Sequence, residues 1–290
     1  MSLANLLQNY PAIFIGTIGV AGLLIGSFLN VVIYRLPIMM QRRWKKECCE
    51  YLEIESENQD ETRFDLVLPP SRCPDCNTRI KAWQNIPVLS YLLLGGRCAH
   101  CKALISIRYP LVEAFTGILS VVVAWHFGYS AETLFALLLT WSLIALSGID
   151  IDQQLLPDSI TLPLLWLGLF LSLFELFTDS HASIIGAIAG YLSLWSIYWL
   201  FKLLTGKDGM GYGDFKLLAL FGAWLGWQYL PVIILLSSLV GAIVGLSMVL
   251  FMKHDRTIPI PFGPYLAVAG WIALLWGSQL NQMYLNMTGL

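Results

Sequence analysis

Charge is what this sequence has least of. Asp, Glu, Lys and Arg make up 12% of its 290 residues, where a soluble globular chain carries roughly 25%. With 57% hydrophobic residues and a mean hydropathy of +0.68, that scarcity excludes an ordinary water-soluble domain. Histidine is also scarce. His100, His126, His181 and His254 have no close spacing that suggests a metal site. No serine or cysteine has an obvious basic partner, so hydrolysis through a covalent nucleophile lacks its parts. No nucleotide-binding loop and no internal repeat stands out. The first apolar run lacks a basic n-region and a small-residue cleavage site, so it is expected to be a retained helix rather than a signal peptide.

Long apolar runs are what the chain has in quantity. A helix crossing the hydrocarbon core needs roughly 20 apolar residues. Runs lie near 13–32, 111–127, 131–149, 160–177, 182–204, 215–229, 231–252 and 262–279. The expected fold is therefore an all-α polytopic membrane protein of about eight transmembrane helices, with a small cytoplasmic zinc-binding insert. The runs at 111–127 and 215–229 are short enough for a buried or re-entrant placement as well. Gly16, Gly19, Gly22 and Gly26 stripe the first span at a spacing that permits close helix packing.

Charge placement orients the frame. Twelve of the 17 Lys and Arg residues lie between Arg35 and Arg108, and the other five are Lys202, Lys207, Lys216, Lys253 and Arg256. Basic short loops stay in the cytoplasm. Eight spans then put residues 36–110, 205–214 and 253–261 inside and both termini outside. The chain divides into a first helix (1–35), a cytoplasmic insert (36–110) and a membrane core of about seven helices (111–290).

The insert has two parts. Residues 41–65 carry Arg42, Arg43, Lys45 and Lys46, then Glu47, Glu50, Glu53, Glu55, Glu57, Asp60 and Glu61. A solvated helix or loop and a surface that docks a basic partner both fit that pattern. Residues 69–110 hold Cys73-Pro74-Asp75-Cys76 and Cys98-Ala99-His100-Cys101. Each CxxC turn offers two thiolates on one side, and two such turns complete a tetrahedron about Zn²⁺. A module this small has little core, so the metal would supply folding energy. A reducing cytoplasm argues against disulfides. Four cysteines suffice without His100, and the adjacent Cys48 and Cys49 cannot easily share one metal.

Acids near membrane depth are costly and often functional. Asp150 and Asp152 close the third run, and Leu155-Leu156-Pro157-Asp158 leads into the fourth. Gly209-Met210-Gly211-Tyr212-Gly213-Asp214 leads into the sixth. The topology sets both clusters at the cytoplasmic surface, where two carboxylates can converge, share a proton and split a peptide bond without a covalent intermediate. The glycines would let a backbone approach an extended substrate. Plainer readings stand beside this one. Asp214 and Asp158 as helix caps, Asp150 and Asp152 as polar helix ends, Lys216 as the neutraliser of a nearby acid and Glu113 as an ion-pair partner all fit the sequence.

These residues carry a family resemblance over nearly the whole chain. Gly26-Ser27-Phe28-Leu29-Asn30-Val31-Val32-Ile33-Tyr34-Arg35-Leu36-Pro37, the cysteine tetrad, Ile107-Arg108-Tyr109-Pro110-Leu111-Val112-Glu113, Ile149-Asp150 with Leu155-Leu156-Pro157-Asp158, and Gly211-Tyr212-Gly213-Asp214-Phe215-Lys216 occur in the order seen in bacterial type IV prepilin peptidases. The chain resembles that family of GxGD-type membrane aspartic proteases. The resemblance implies Asp150 and Asp214 as the catalytic pair, and Cys73, Cys76, Cys98 and Cys101 as ligands of a structural zinc. It implies cleavage of the basic leader, after glycine, from type IV prepilins and type II secretion pseudopilins at the cytoplasmic face of the bacterial inner membrane. N-methylation with S-adenosylmethionine then follows, in a pocket involving the insert. Membrane lipid is the other expected partner, and no nucleic acid is. Readings from other classes are a peptidase without methyl transfer and a non-catalytic, zinc-stabilised membrane assembly subunit.

Overall fold

The computed structural model describes residues 3–54, 63–251 and 261–288. Glu55, Glu57, Asp60 and Glu61 of the acidic stretch, and Lys253, His254 and Arg256 of the last basic loop, lie outside the described residues. The described residues contain ten α-helices, α1 (Leu3–Asn9), α2 (Pro11–Tyr51), α3 (Leu89–Leu93), α4 (Arg108–Phe127), α5 (Ala131–Gln153), α6 (Asp158–Leu171), α7 (Ser180–Thr205), α8 (Tyr212–Leu225), α9 (Leu230–Phe251) and α10 (Gly263–Thr288). The fold is all-α, and each of the eight apolar runs forms a helix. Among the described residues, α2, α4, α5, α7 and residues 227–247 are long and apolar enough to cross a membrane. The chain divides into two compact units, residues 1–129 and 130–290.

In the first unit α2 packs along α4. Hydrocarbon gives no hydrophobic drive between such helices, so close van der Waals approach has to do it. A Cβ at Gly26 would lie 2.7 Å from Glu113 Cα, and one at Gly22 2.7 Å from Ser120 Cβ. Gly19 is closed off by Val121, whereas Gly16 meets nothing. Three of the four striped glycines are therefore contacts.

The α2 helix does not stop at the end of the apolar run. It runs through Pro37 to Tyr51, and Arg43–Glu47 at 2.8 Å and Lys46–Glu50 at 3.7 Å support its exposed end at i,i+4 spacing. The first half of the charged stretch is thus a solvated helix. Arg35 is buried, and its guanidinium donates to the carbonyls of Asp65 (2.9 Å) and Pro69 (2.6 Å), which ties the segment leading into the cysteine module to α2. The Asp65 carboxylate accepts from the Leu68 and Val67 amides and from Arg63. Those bonds, the Leu68 and Val67 amides foremost, hold it down at about 2. Glu113 accepts from the Val88 amide at 2.8 Å. Among the described residues it makes no ion pair, which corrects the ion-pair reading.

The second unit is built around α8. It is only 14 residues long, and Asp214, Phe215 and every residue from Leu217 to Leu225 is buried. Helices α7, α6 and α10 surround it. Ser183 Oγ donates to the Ala223 carbonyl at 2.6 Å from α7, and Trp224 Nε1 donates to the Leu164 carbonyl of α6 at 2.8 Å. Gly190 of α7 lies so close that a Cβ there would sit 2.7 Å from the Leu218 carbonyl oxygen. Helix α10 is joined to α5 by Trp271 Nε1 donating to Thr140 Oγ1 at 3.0 Å. The short apolar run at 215–229 is therefore a helix sheathed by other helices.

Candidate active site and candidate metal centre

Asp150 lies in the last turn of α5, and Asp214 is the third residue of α8. Both are buried, at 6% and 7% relative exposure. Asp152 and Asp158 are exposed. This contrast separates the four acids: two are withdrawn from solvent and two are not. Leu156 lies against Gly213, next to Asp214, and against Gly263, whose amide binds Asp150, so α5 and α8 bring the two sequence-predicted aspartates to the same side chain within the second unit. Asp214 is not the cap of its helix. Gly211 occupies that position and accepts the Asp214 amide at 3.2 Å. Asp158 also begins its helix without capping it, since Pro157 precedes it as the cap. The two Asp158 carboxylate oxygens each accept from Lys216 Nζ at 2.7 Å. Lys216 does neutralise an acid, and that acid is not one of the buried pair.

The glycines around Asp214 divide differently from expectation. A Cβ at Gly213 would lie 2.8 Å from Leu156 Cβ, and one at Gly209 2.7 Å from the Phe201 ring. Those two are filled by the protein's own side chains. Gly211 is the open one, where a Cβ would meet nothing nearer than Asp214 Oδ2 at 3.8 Å. The loop before α8 is pinned by Asp208, which pairs with Lys202 Nζ at 2.8 Å and accepts from Tyr198 Oη at 2.5 Å. Charge-assisted bonds of that kind fix where the chain enters α8.

Sequence reasoning did not single out Gly263. It opens α10, and its amide donates to Asp150 Oδ2 at 3.0 Å. Leu156 packs against both Gly213 and Gly263, which makes it a wall shared by the two sides of the carboxylate pair.

In the first unit the four sequence-predicted cysteines come together. The Sγ atoms of Cys73, Cys76, Cys98 and Cys101 all lie within 4.8 Å of one another. Cys73 and Cys101 Sγ are 3.8 Å apart, and a tetrahedron with Zn–S of about 2.3 Å has an edge of about 3.8 Å. Both turns are built alike. The Cys73 amide donates to the Thr78 carbonyl (3.0 Å) and the Asn77 amide to the Cys73 carbonyl (2.9 Å). The Cys98 amide donates to the Ala103 carbonyl (2.8 Å) and the Lys102 amide to the Cys98 carbonyl (3.1 Å). Asn77 and Lys102 share a left-handed φ, +56° and +63°. Hydrogen bonds from the Thr78 hydroxyl and amide pull the Cys76 thiol down to about 6, and the Cys101 and His100 amides pull down that of Cys98. Donors aimed at sulfur favour the thiolate, the form that binds metal. The residues present therefore fit a metal ion. The two turns form a small internal repeat, which corrects the expectation that none stands out; its signal is Arg-Cys-x-x-Cys at 72–76 and 97–101. Cys48 and Cys49 lie on α2, outside the cluster.

An all-α membrane chain with a buried aspartate pair and a separate four-thiol cluster is the class of protein that this fold and these sites define. The type IV leader peptidase family matches residues 137–246, and the bacterial peptidase A24 N-terminal domain matches residues 20–127. The chain is 57% identical over 290 residues, all of both chains, to a prepilin leader peptidase/N-methyltransferase of Stutzerimonas stutzeri. It is 57% identical over 289 residues, 100% of this chain and 99% of the other, to the protein of that name in Pseudomonas aeruginosa. It is 48% identical over 281 residues, 97% and 98% of the two chains, to that of Legionella pneumophila. No solved structure matches. The chain belongs to the type IV leader peptidase family.

Proposed function

We propose that this protein is a prepilin leader peptidase and N-methyltransferase. It cleaves the basic leader after glycine from type IV prepilins and pseudopilins, then methylates the new N-terminus with S-adenosylmethionine. The names of its full-length relatives support both activities. Asp150 and Asp214 are the hydrolytic pair, at the cytoplasmic face of the bacterial inner membrane. The observation that carries this assignment is that these two acids alone, of the four near α5, α6 and α8, are buried, with Leu156 lying against both Gly213, next to Asp214, and Gly263, whose amide holds Asp150.

Two carboxylates so placed cannot both ionise readily, so they hold one proton between them. The ionised member takes a proton from a water, whose oxygen attacks the carbonyl carbon of the scissile bond. The protonated member gives its proton to the carbonyl oxygen. As the resulting gem-diol collapses, the C–N bond breaks and the departing nitrogen takes the proton that the first member drew from water. A gem-diol hydroxyl returns its proton to the second member, which restores the shared proton. Gly211 leaves room for an extended peptide beside Asp214. Burial strips water from the pair and strengthens each electrostatic contact within it.

The four cysteines hold a structural zinc, because four thiolates fill a tetrahedral ion and leave no open position for water. Bound there, zinc supplies folding energy to the insert and takes no part in hydrolysis. The first helix (1–35) crosses the membrane once, the insert (36–110) stays in the cytoplasm, and the core (111–290) crosses about seven times, about eight crossings in all. The test is incubation of the purified, zinc-loaded protein with a prepilin and S-adenosylmethionine. A product lacking its leader and heavier by about one CH₂ is expected. Cleavage without the added mass would leave a peptidase alone, and no cleavage would leave an assembly subunit.

A further inference from the structure

We infer that Gly263 is a positioning residue for the aspartate pair: its amide holds one oxygen of Asp150, and its missing side chain makes the space in which that oxygen sits. The inference rests on the proposed peptidase reading and adds a third element, the start of α10, to a site that the sequence motifs place on α5 and α8.

The case begins with the backbone donors of the first turn of α10. The opening amides of a helix have no partner within it. Pro264 has none to give. The Tyr265 and Leu266 amides both donate to the Phe262 carbonyl, at 3.1 and 3.2 Å. The Gly263 amide is the donor left over, and it goes to Asp150 Oδ2 at 3.0 Å, across 113 residues of chain. Both groups are buried, so neither can exchange this bond for water without cost. The bond also fixes the carboxylate's rotation, which decides whether its other oxygen faces water and substrate.

The glycine is required for space and not for an unusual backbone. Its φ is not among the positive ones, so alanine can adopt the same conformation and begin a helix there. A Cβ at 263 would nevertheless lie 2.6 Å from Asp150 Oδ2, 3.2 Å from Asp150 Cγ and 3.2 Å from Leu156 Cδ2. The helix can form with alanine, but the carboxylate has to move. A shift of about 1 Å in a reacting group costs on the order of a hundredfold in rate. Leu156 is a flexible neighbour that can give way, whereas the carboxylate has its own helix behind it.

The test measures kcat and KM for leader cleavage by the full-length, zinc-loaded protein and four variants, Gly263→Ala, Leu156→Ala, the double variant and Asp150→Asn. Gly263→Ala should lose on the order of a hundredfold in kcat with KM unchanged, because the substrate still binds but meets a misplaced carboxylate. The double variant relieves the contact with Leu156 while leaving the conflict with the carboxylate. It should remain on the order of a hundredfold below Leu156→Ala in kcat, a comparison that does not use the Gly263→Ala protein and in which the Leu156 contact is relieved on both sides. Recovery of the Leu156→Ala rate by the double variant, or a rise in KM with kcat intact, overturns the inference. Asp150→Asn separates the two levels. Full turnover by that variant removes the peptidase pair itself, while an inactive Asp150→Asn beside a normal Gly263→Ala removes only the role of Gly263.

Discussion

Among the acids that the sequence offers, solvent is the discriminator. A carboxylate in water is ionised and ordinary, and one withdrawn from water beside another must share its proton. Asp150→Asn and Asp214→Asn are each expected to abolish leader release while zinc content is kept, because an amide cannot pass the proton on. Near-normal turnover by either would remove that residue from the pair. Asp152→Asn should be milder, since its side chain is exposed. Asp158→Asn breaks an ion pair with Lys216 that is partly open to solvent. Its effect should stay within about 1 kcal/mol, read as a small change in melting temperature and a modest change in rate. Asp150 and Asp214 could be singled out in the sequence because they lie in compact motifs next to apolar runs, and both are buried in the fold. Gly263 and Arg35 could not be read this way. Their partners lie 113 residues away for Gly263 and 30 and 34 residues away for Arg35, and no local pattern announces a contact that the folded chain alone creates.

Elements were legible where one property dominates. Apolar length announced every large helix. It did not announce where they end, because α2 continues for a further 19 residues beyond the apolar run at 13–32, to Tyr51, on charged residues paired one turn apart. It did not announce rank either. Helix α8 is short by membrane standards yet is the element on which α6, α7 and α10 pack. The small residues that permit this are specific enough to test. In α7 a Cβ at Gly190 would sit 2.7 Å from the Leu218 carbonyl oxygen and 3.0 Å from Ala219 Cα, and backbone cannot swing aside as a side chain can. Gly190→Val should separate α7 from α8 and cost about 1–3 kcal/mol. Loss of cleavage without loss of zinc should accompany it, since the site stands on α8 and the metal does not. The metal module is expected to behave in the opposite sense. A Cys73→Ser/Cys76→Ser change should release about one zinc per chain, measurable by metal analysis, and disorder the insert. Full zinc retention in that variant would sink the assignment of the ligands.

At the scale of the whole molecule, the number of crossings is tied to the chemistry. Residues 36–110 carry most of the basic residues, and Lys207 lies in the 205–214 loop with Lys202 and Lys216 on either side of it. The proposed topology, following the positive-inside rule, sets both segments in the cytoplasm. They are separated by α4, α5, α6 and α7, four crossings in the eight-span frame, which returns the chain to the side it left. If α6 did not cross, three crossings would put the 205–214 loop outside. Asp150, at the end of α5, and Asp214, at the start of α8, would then stand at opposite membrane faces, and Leu156 could not lie against both Gly213 and Gly263 as it does. Convergence of the pair therefore requires that α6 cross along with α7. The length is close to sufficient. Its 14 residues, with the three-residue 3₁₀ turn Ser172–Phe174 that follows, span roughly 27 Å against about 30 Å of hydrocarbon, and a mismatch of this size is absorbed by slight thinning of the bilayer. The experiment replaces Cys48 and Cys49, keeps the zinc ligands, and introduces single cysteines at Thr178 before α7 and at Lys207 after it. In intact spheroplasts an impermeant thiol reagent should label position 178 and spare position 207. After lysis both should react. Labelling of position 207 from outside would break the eight-span frame and, with it, the meeting of Asp150 and Asp214 on which the proposed hydrolysis depends.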